Sequence, residues 1–186
     1  MTNTADDAWP LQQSSLSACG INTRVFQGGI NLKATEAVVF VHGNPGASED
    51  WHALMQAVAP HGRVIAMDMP GFGHADKPAK YPYSVEGGTA FLTEALRQLG
   101  VLKAHLVLHD FGGPWGLMWA AMNPLGLGSL TLINTGVLKG YRWHYMARIW
   151  RTPLLGELQQ LITNRSGFKW AISVGCPKGL PLDFVN

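Results

Sequence analysis

The sequence predicts an α/β fold, a mostly parallel sheet with helices on both faces. Three observations carry that expectation. Short runs rich in β-branched and apolar residues recur along the chain and read as buried strands. Segments with helical spacing of apolar residues lie between them. The 186 residues are 47% apolar and 14% charged, enough to bury a core around such a sheet.

Taken in order, INTRVF (21–26), AVVFVHG (37–43), RVIAMDM (63–69), HLVLHD (105–110) and LTLINT (130–135) are the predicted strands. From Ser84 to Leu99, the positions of Phe91, Leu92, Ala95, Leu96 and Leu99 fall on one helical face, and Ser84 is placed to cap the helix. Gly112 to Met122 forms a second helix. Near-continuous apolar strands alternating with helices indicate a sheet covered on both sides, and such sheets collect ligands at the carboxyl ends of their strands.

Composition narrows the class further. No apolar run approaches the roughly 18 residues of a membrane span, and MTNTADDAWPLQQSS lacks the basic and apolar regions of a secretory leader, so the expected setting is cytoplasmic. Cys19 and Cys176 lie far apart without metal-type spacing and read as free thiols. The NRS sequon at Asn164 carries no meaning without secretion. Net charge is +2, divided as 7 Lys/Arg against 10 Asp/Glu over residues 1–136 and 7 against 2 over 137–186. That asymmetry suggests a boundary near Gly136, with a core of 1–136 and a second part of 137–186. The positives are spread out, as on a solvated helical face, and make no case for a nucleic acid or membrane partner.

Three loops leave the carboxyl ends of predicted strands: HGNPGASEDW (42–51), DMPGFGHADKP (68–78) and HDFGGPWGL (109–117). In the third, a strand turns sharply into a helix through small residues. That is the geometry of a nucleophile elbow, which exposes one side chain over a helix N-terminus. The residue so held is Asp110. Serine at such a corner performs acyl transfer, whereas a carboxylate attacks an sp³ carbon to give a covalent ester. The structural alternative is an Asp110 that merely caps the helix.

Competing motifs fail on context. DFG at 110–112 lacks the Gly-rich loop, strand lysine and catalytic loop of a kinase. GFGHAD begins like a dinucleotide fingerprint, but Asp76 stands where the third glycine belongs. No zinc, phosphate-loop or paired-cysteine motif is present, so neither a metal nor a cofactor is expected.

HGNP at 42–45, DMPGFGHADKP at 68–78 and LVLHDFGG at 106–113 together resemble the α/β-hydrolase-fold enzymes with an aspartate nucleophile, nearest to haloalkane dehalogenases and next to epoxide hydrolases. The resemblance runs from about residue 20 onward. It implies that Asp110 is the nucleophile and that the backbone N–H groups of Asn44 and Phe111 form the oxyanion hole. It makes His42 and Pro45 structural and gives the side-chain amide of Asn44 a part in binding the departing halide. Asn44 and Leu108 tilt the reading toward dehalogenation. The substrate is then a small apolar molecule.

Two departures from the family pattern stand out. Dehalogenases follow the nucleophile with tryptophan, and a phenyl ring at Phe111 cannot donate the indole hydrogen bond. Trp143, Trp150 and Trp170 are the candidates to replace it from a helical cap over residues 137–186. Epoxide opening instead needs an acid, and Tyr141 and Tyr145, four residues apart on a probable helix, are placed to supply one. The second departure is the base. Hydrolysis of an aspartyl ester needs a histidine held by a carboxylate, normally beyond the cap and the last strand. His144 is the nearest stand-in among the seven histidines, and Asn134 occupies the position where some dehalogenases carry the supporting acid. The expectation is a C-terminally truncated member that alkylates once and stalls. A non-catalytic remnant is the other class, and oligomeric state is open.

Overall fold

The computed structural model describes residues 9–135, 142, 145–162, 164 and 166. Two compact units emerge, residues 1–138 and 139–186.

In the first unit, six strands form one sheet: β1 (Gln12–Ala18), β2 (Ile21–Gly28), β3 (Glu36–Val41), β4 (Arg63–Met67), β5 (Lys103–His109) and β6 (Leu127–Ile133). Their order is β1-β2-β4-β3-β5-β6. The first pair is an antiparallel hairpin, β2 runs antiparallel to β4, and β4, β3, β5 and β6 are mutually parallel. Three helices belong to this unit: α1 (His52–Val58), α2 (Val85–Gln98) and α3 (Gly112–Met122).

Alternation along the strands makes two cores. Val39, Val41, Ile65, Met67, Leu106 and Leu108 meet Phe91, Leu92, Ala95 and Leu96 of α2 and Trp115 and Trp119 of α3. Phe40, Val64 and Ala66 face the other way, onto Trp51, Met55 and Ala59 around α1. Helices therefore lie on both faces, as the apolar runs predict. Ser84 caps α2, its side chain accepting from the Gly87 N–H at 3.2 Å.

One approach fixes α3 on the sheet. A Cβ at Gly112 would lie 2.4 Å from the Val41 carbonyl oxygen, so only glycine lets the helix start directly against β3.

Two elements depart from the sequence reading. β1 has no apolar alternation, QQSSLSA, and is formed by its partner: Cys19 and Gly20, both at positive φ (51° and 75°), turn the chain back onto β2. β6 is apolar in sequence yet largely exposed, with Leu132 at 45%. Among the described residues it pairs with β5 alone, and its consecutive exposed positions leave side chains uncovered on both faces of the sheet.

The second unit contains α4 (Tyr145–Trp150) and α5 (Leu155–Ile162). The Trp150 indole N–H donates to Gln159 Oε1 at 2.7 Å, joining the two. Leu154, Leu158 and Leu161 are exposed. No helix among the described residues is long and apolar enough to cross a membrane.

Candidate active site

Asp110 occupies the corner between β5 and α3 at φ 49°, a left-handed conformation that costs a non-glycine residue about 1–2 kcal/mol. The backbone around it is fastened on every side. Its N–H donates to the Ile133 carbonyl at 3.2 Å, and its carbonyl accepts from the Gly113 N–H at 3.0 Å and the Thr135 hydroxyl at 2.9 Å. The surrounding bonds hold the corner in its strained form.

The side chain does not cap α3. Phe111 is the residue at the N-cap position, with no side-chain cap bond. Instead, Asp110 Oδ1 accepts from the backbone N–H of Asn44 at 2.8 Å. That bond bridges the ends of β5 and β3 and unites two residues 66 apart in sequence. Gly43 makes the approach possible: a Cβ there would lie 2.3 Å from Asp110 Cβ and 2.7 Å from Oδ1.

The loop carrying Asn44 is tied to the loop after β4 at two points. His42, 1% exposed, accepts from the Met69 N–H at Nε2 (2.9 Å), so its ring proton sits on Nδ1 and is donated to the Gly43 carbonyl at 2.9 Å. Burial pushes His42 below its ordinary 6.5, against the opposing influence of the Gly43 carbonyl and the Asp68 and Asp50 charges. At the second point, the fully buried Asp68 accepts at Oδ1 from the Ser48 N–H (2.7 Å) and hydroxyl (2.6 Å), and at Oδ2 from the His74 N–H (2.8 Å). Arg24 lies 3.2 Å from Oδ2 and also pairs with Glu49. Burial alone would raise the Asp68 carboxyl; the Ser48 and His74 bonds and the Arg24 charge bring it below its ordinary 3.8.

Both groups make the fold acid-labile, and the signs agree. A group whose proton affinity is depressed on folding leaves the unfolded chain binding more protons, so stability falls as pH falls. For His42 the loss begins below 6.5, and for Asp68 it begins below 3.8. The urea midpoint is expected to drop between about pH 8 and about pH 5.5. A His42→Asn chain should show a smaller drop, and an equal drop would remove His42 from the account.

The sequence-derived site residues fall into three groups. Asp110 and Asn44 are brought together, and Phe111 follows at the helix start, its ring 6.0 Å from that of Trp115. Tyr145 is 62% exposed at the start of α4 in the second unit. Tyr141 and Trp143, like His144 and Trp170, lie outside the described residues. Among the described histidines none bonds to Asp110. His109 packs edge-on to Trp51, His52 edge-on to Phe26, and His105 joins Ser129 and Glu36. Asn134 is exposed at φ 45°, a conformation asparagine tolerates.

Sequence reasoning did not anticipate Asp68. Its signal was present as an aspartate closing an otherwise apolar strand run, RVIAMD, where a buried carboxylate requires partners. What the assembled site offers chemically is a carboxylate at the carboxyl end of the interior strand β5, with one oxygen bound by a backbone N–H.

Residues 36–176 match the family model described as the alpha/beta hydrolase fold. A haloalkane dehalogenase from Agrobacterium fabrum is 36% identical over 87 residues, 47% of this chain and 28% of that protein. A cis-3-alkyl-4-alkyloxetan-2-one decarboxylase from Xanthomonas campestris is 30% identical over 151 residues, 73% of this chain and 49% of that protein. Among solved structures, the haloalkane dehalogenase DbeA from Bradyrhizobium elkani superposes with a TM-score of 0.79 at 26% identity, covering 95% of this chain and 62% of that one. The chain thus spans less than two thirds of the length of each.

Proposed function

The chain belongs to the α/β-hydrolase fold family, and from that premise we propose that Asp110 is the nucleophile of a dehalogenase-like alkyl transfer. The observation that carries this reading is the strained corner presenting the Asp110 carboxylate to the Asn44 N–H at 2.8 Å.

The chemistry follows from that bond. With Oδ1 engaged by Asn44, Oδ2 attacks the carbon of a small apolar haloalkane. The carbon–halogen bond breaks, halide leaves with its electron pair, and Asp110 becomes an alkyl ester. The Asn44 side-chain amide is the halide's donor in this reading. Oδ1 is then the ester carbonyl oxygen, so the Asn44 N–H, with that of Phe111, forms the oxyanion hole when water attacks. Water attack gives back the carboxylate and releases an alcohol and a proton. Residues 137–186 are read as the beginning of a helical cap, with Tyr141, Trp143 and Tyr145 as candidates for contact with the substrate.

The second half of the cycle requires a base, and His42 is unsuited to it: its buried ring is neutral and committed to Met69 and Gly43. Among the described histidines none bonds to Asp110, and we propose on that ground that these 186 residues, taken by themselves, accept one alkyl group and hold it. Mixing it with a short bromoalkane and following bromide should give one equivalent per chain and then a plateau. Sustained release above an Asp110→Ala control would refute the single turnover, and no release would refute the nucleophile.

Phe111 favours a second reading. Its phenyl ring has no N–H to offer a departing halide, whereas the oxygen of an opening epoxide needs a proton from an acid, for which Tyr141 and Tyr145 are the candidates. The similarity to an oxetanone decarboxylase, named for a strained oxygen ring, points the same way. An epoxide that labels Asp110 faster than a bromoalkane of equal length would make ring opening the preferred chemistry.

A further inference from the structure

We propose that Asp68 is a positioning residue for the nucleophile, holding the Asn44 N–H on Asp110 through the loop that joins them. The inference rests on reading Asp110 as the reacting group.

Asn44 lies between two fastened points. On one side His42 is held by the Met69 N–H; on the other Ser48 is held by Asp68. Around the second point the loop closes on itself: the Asp50 carboxylate accepts from the Ala47 N–H at 2.9 Å, and the Ala47 carbonyl accepts from the Asp50 N–H at 3.2 Å. Asn44 itself is exposed, and so is Pro45. The register of its N–H toward Asp110 is therefore set by where residues 42 and 48 are anchored. Both anchors come from the strand end at 68 and 69.

Asp68 is suited to this work by its acceptor capacity. Three donated hydrogen bonds and the Arg24 guanidinium converge on two oxygens that carry no solvent exposure. An amide has one acceptor oxygen. Asp68→Asn keeps the volume but must turn an NH₂ toward either the Ser48 pair or the His74 N–H and Arg24, placing donor against donor. The loop then shifts, and the Asn44 N–H leaves the carboxylate.

The test is the Asn44 backbone amide in the full 186-residue chain, followed by its proton chemical shift and its hydrogen exchange. Asp110→Ala supplies the shift of that amide without its acceptor, and Leu96→Ala, a core change on α2 that removes none of these hydrogen bonds, supplies a destabilised reference. In Asp68→Asn the amide should move toward its Asp110→Ala position and exchange about tenfold faster. Leu96→Ala should leave the shift in place. Ser48→Ala, which removes one of the two Ser48 bonds, should move it partway and serves where Asp68→Asn does not fold. An Asn44 amide that behaves in these variants as in Leu96→Ala overturns the proposal. Bromide release by the unaltered chain reports on the nucleophile separately: its absence would refute Asp110's role, whatever the amide does.

Discussion

Asp110→Ala is expected to abolish bromide release from a bromoalkane, with a loss of at least about a thousandfold in rate. The size follows from what is removed. No second described carboxylate is held by the Asn44 N–H at the start of α3. Alanine also forfeits the 2.8 Å bond from Asn44, which costs about 0.5–1.5 kcal/mol, while retaining the Cβ that strains the corner at φ 49°. The variant should therefore stay folded, with a modestly lower urea midpoint. Replacement by glycine separates the two effects: it is equally inactive, but it relieves about 1–2 kcal/mol of left-handed strain and so recovers the lost stability. If Asp110→Ala releases bromide at an appreciable fraction of the original rate, the reacting carboxylate is elsewhere.

Gly43→Ala produces the second large loss without touching the nucleophile's chemistry. The new methyl would sit 2.3 Å from Asp110 Cβ, and that atom cannot retreat because its backbone is bonded to Ile133, Gly113 and Thr135. The loop or the carboxylate must give way by about an ångström, and a displacement of that order at a reacting group costs about a hundredfold in rate. Stability should fall by about 1–3 kcal/mol, as for other additions to a packed contact. Alkylation within a few-fold of the unaltered chain would mean that the approach of Gly43 to Asp110 is immaterial to the chemistry.

Much of this arrangement was legible in the chain before any coordinates, and the reason is local. The helix Gly112 to Met122 was bounded by its glycine pair, and the structure gives α3 the same limits. The run from Ser84 announced α2 through a cap and an apolar face, both of which operate over a few residues. Asp110 was legible through the small residues beside it, because a backbone that is crowded at a sharp turn has few alternatives to glycine, whereas Asn44 was named only by the resemblance of HGNP at 42–45 to the aspartate-nucleophile hydrolases. The illegible parts depend on distant partners. β1 has no pattern of its own and exists because the Cys19–Gly20 turn lays it on β2. β6 has the composition of an interior strand, but burial depends on what lies beyond it, not on its residues. The Asp68 network joins residues 24, 48, 68 and 74, whose convergence only the folded sheet creates. Tyr141 and Trp143 lie outside the described residues, so as pocket candidates Tyr141 rests on its spacing from Tyr145 and Trp143 on the family resemblance.

The proposed role of Asp110 requires it to form a covalent ester that outlasts the first displacement. Peptide mapping by mass spectrometry after incubation with a bromoalkane tests that most directly. One alkyl group per chain is expected, located on the peptide that contains Asp110 and persisting for as long as the chain stays folded. An unmodified Asp110 peptide, or an alkyl group carried on a histidine or on Cys19 instead, would contradict it.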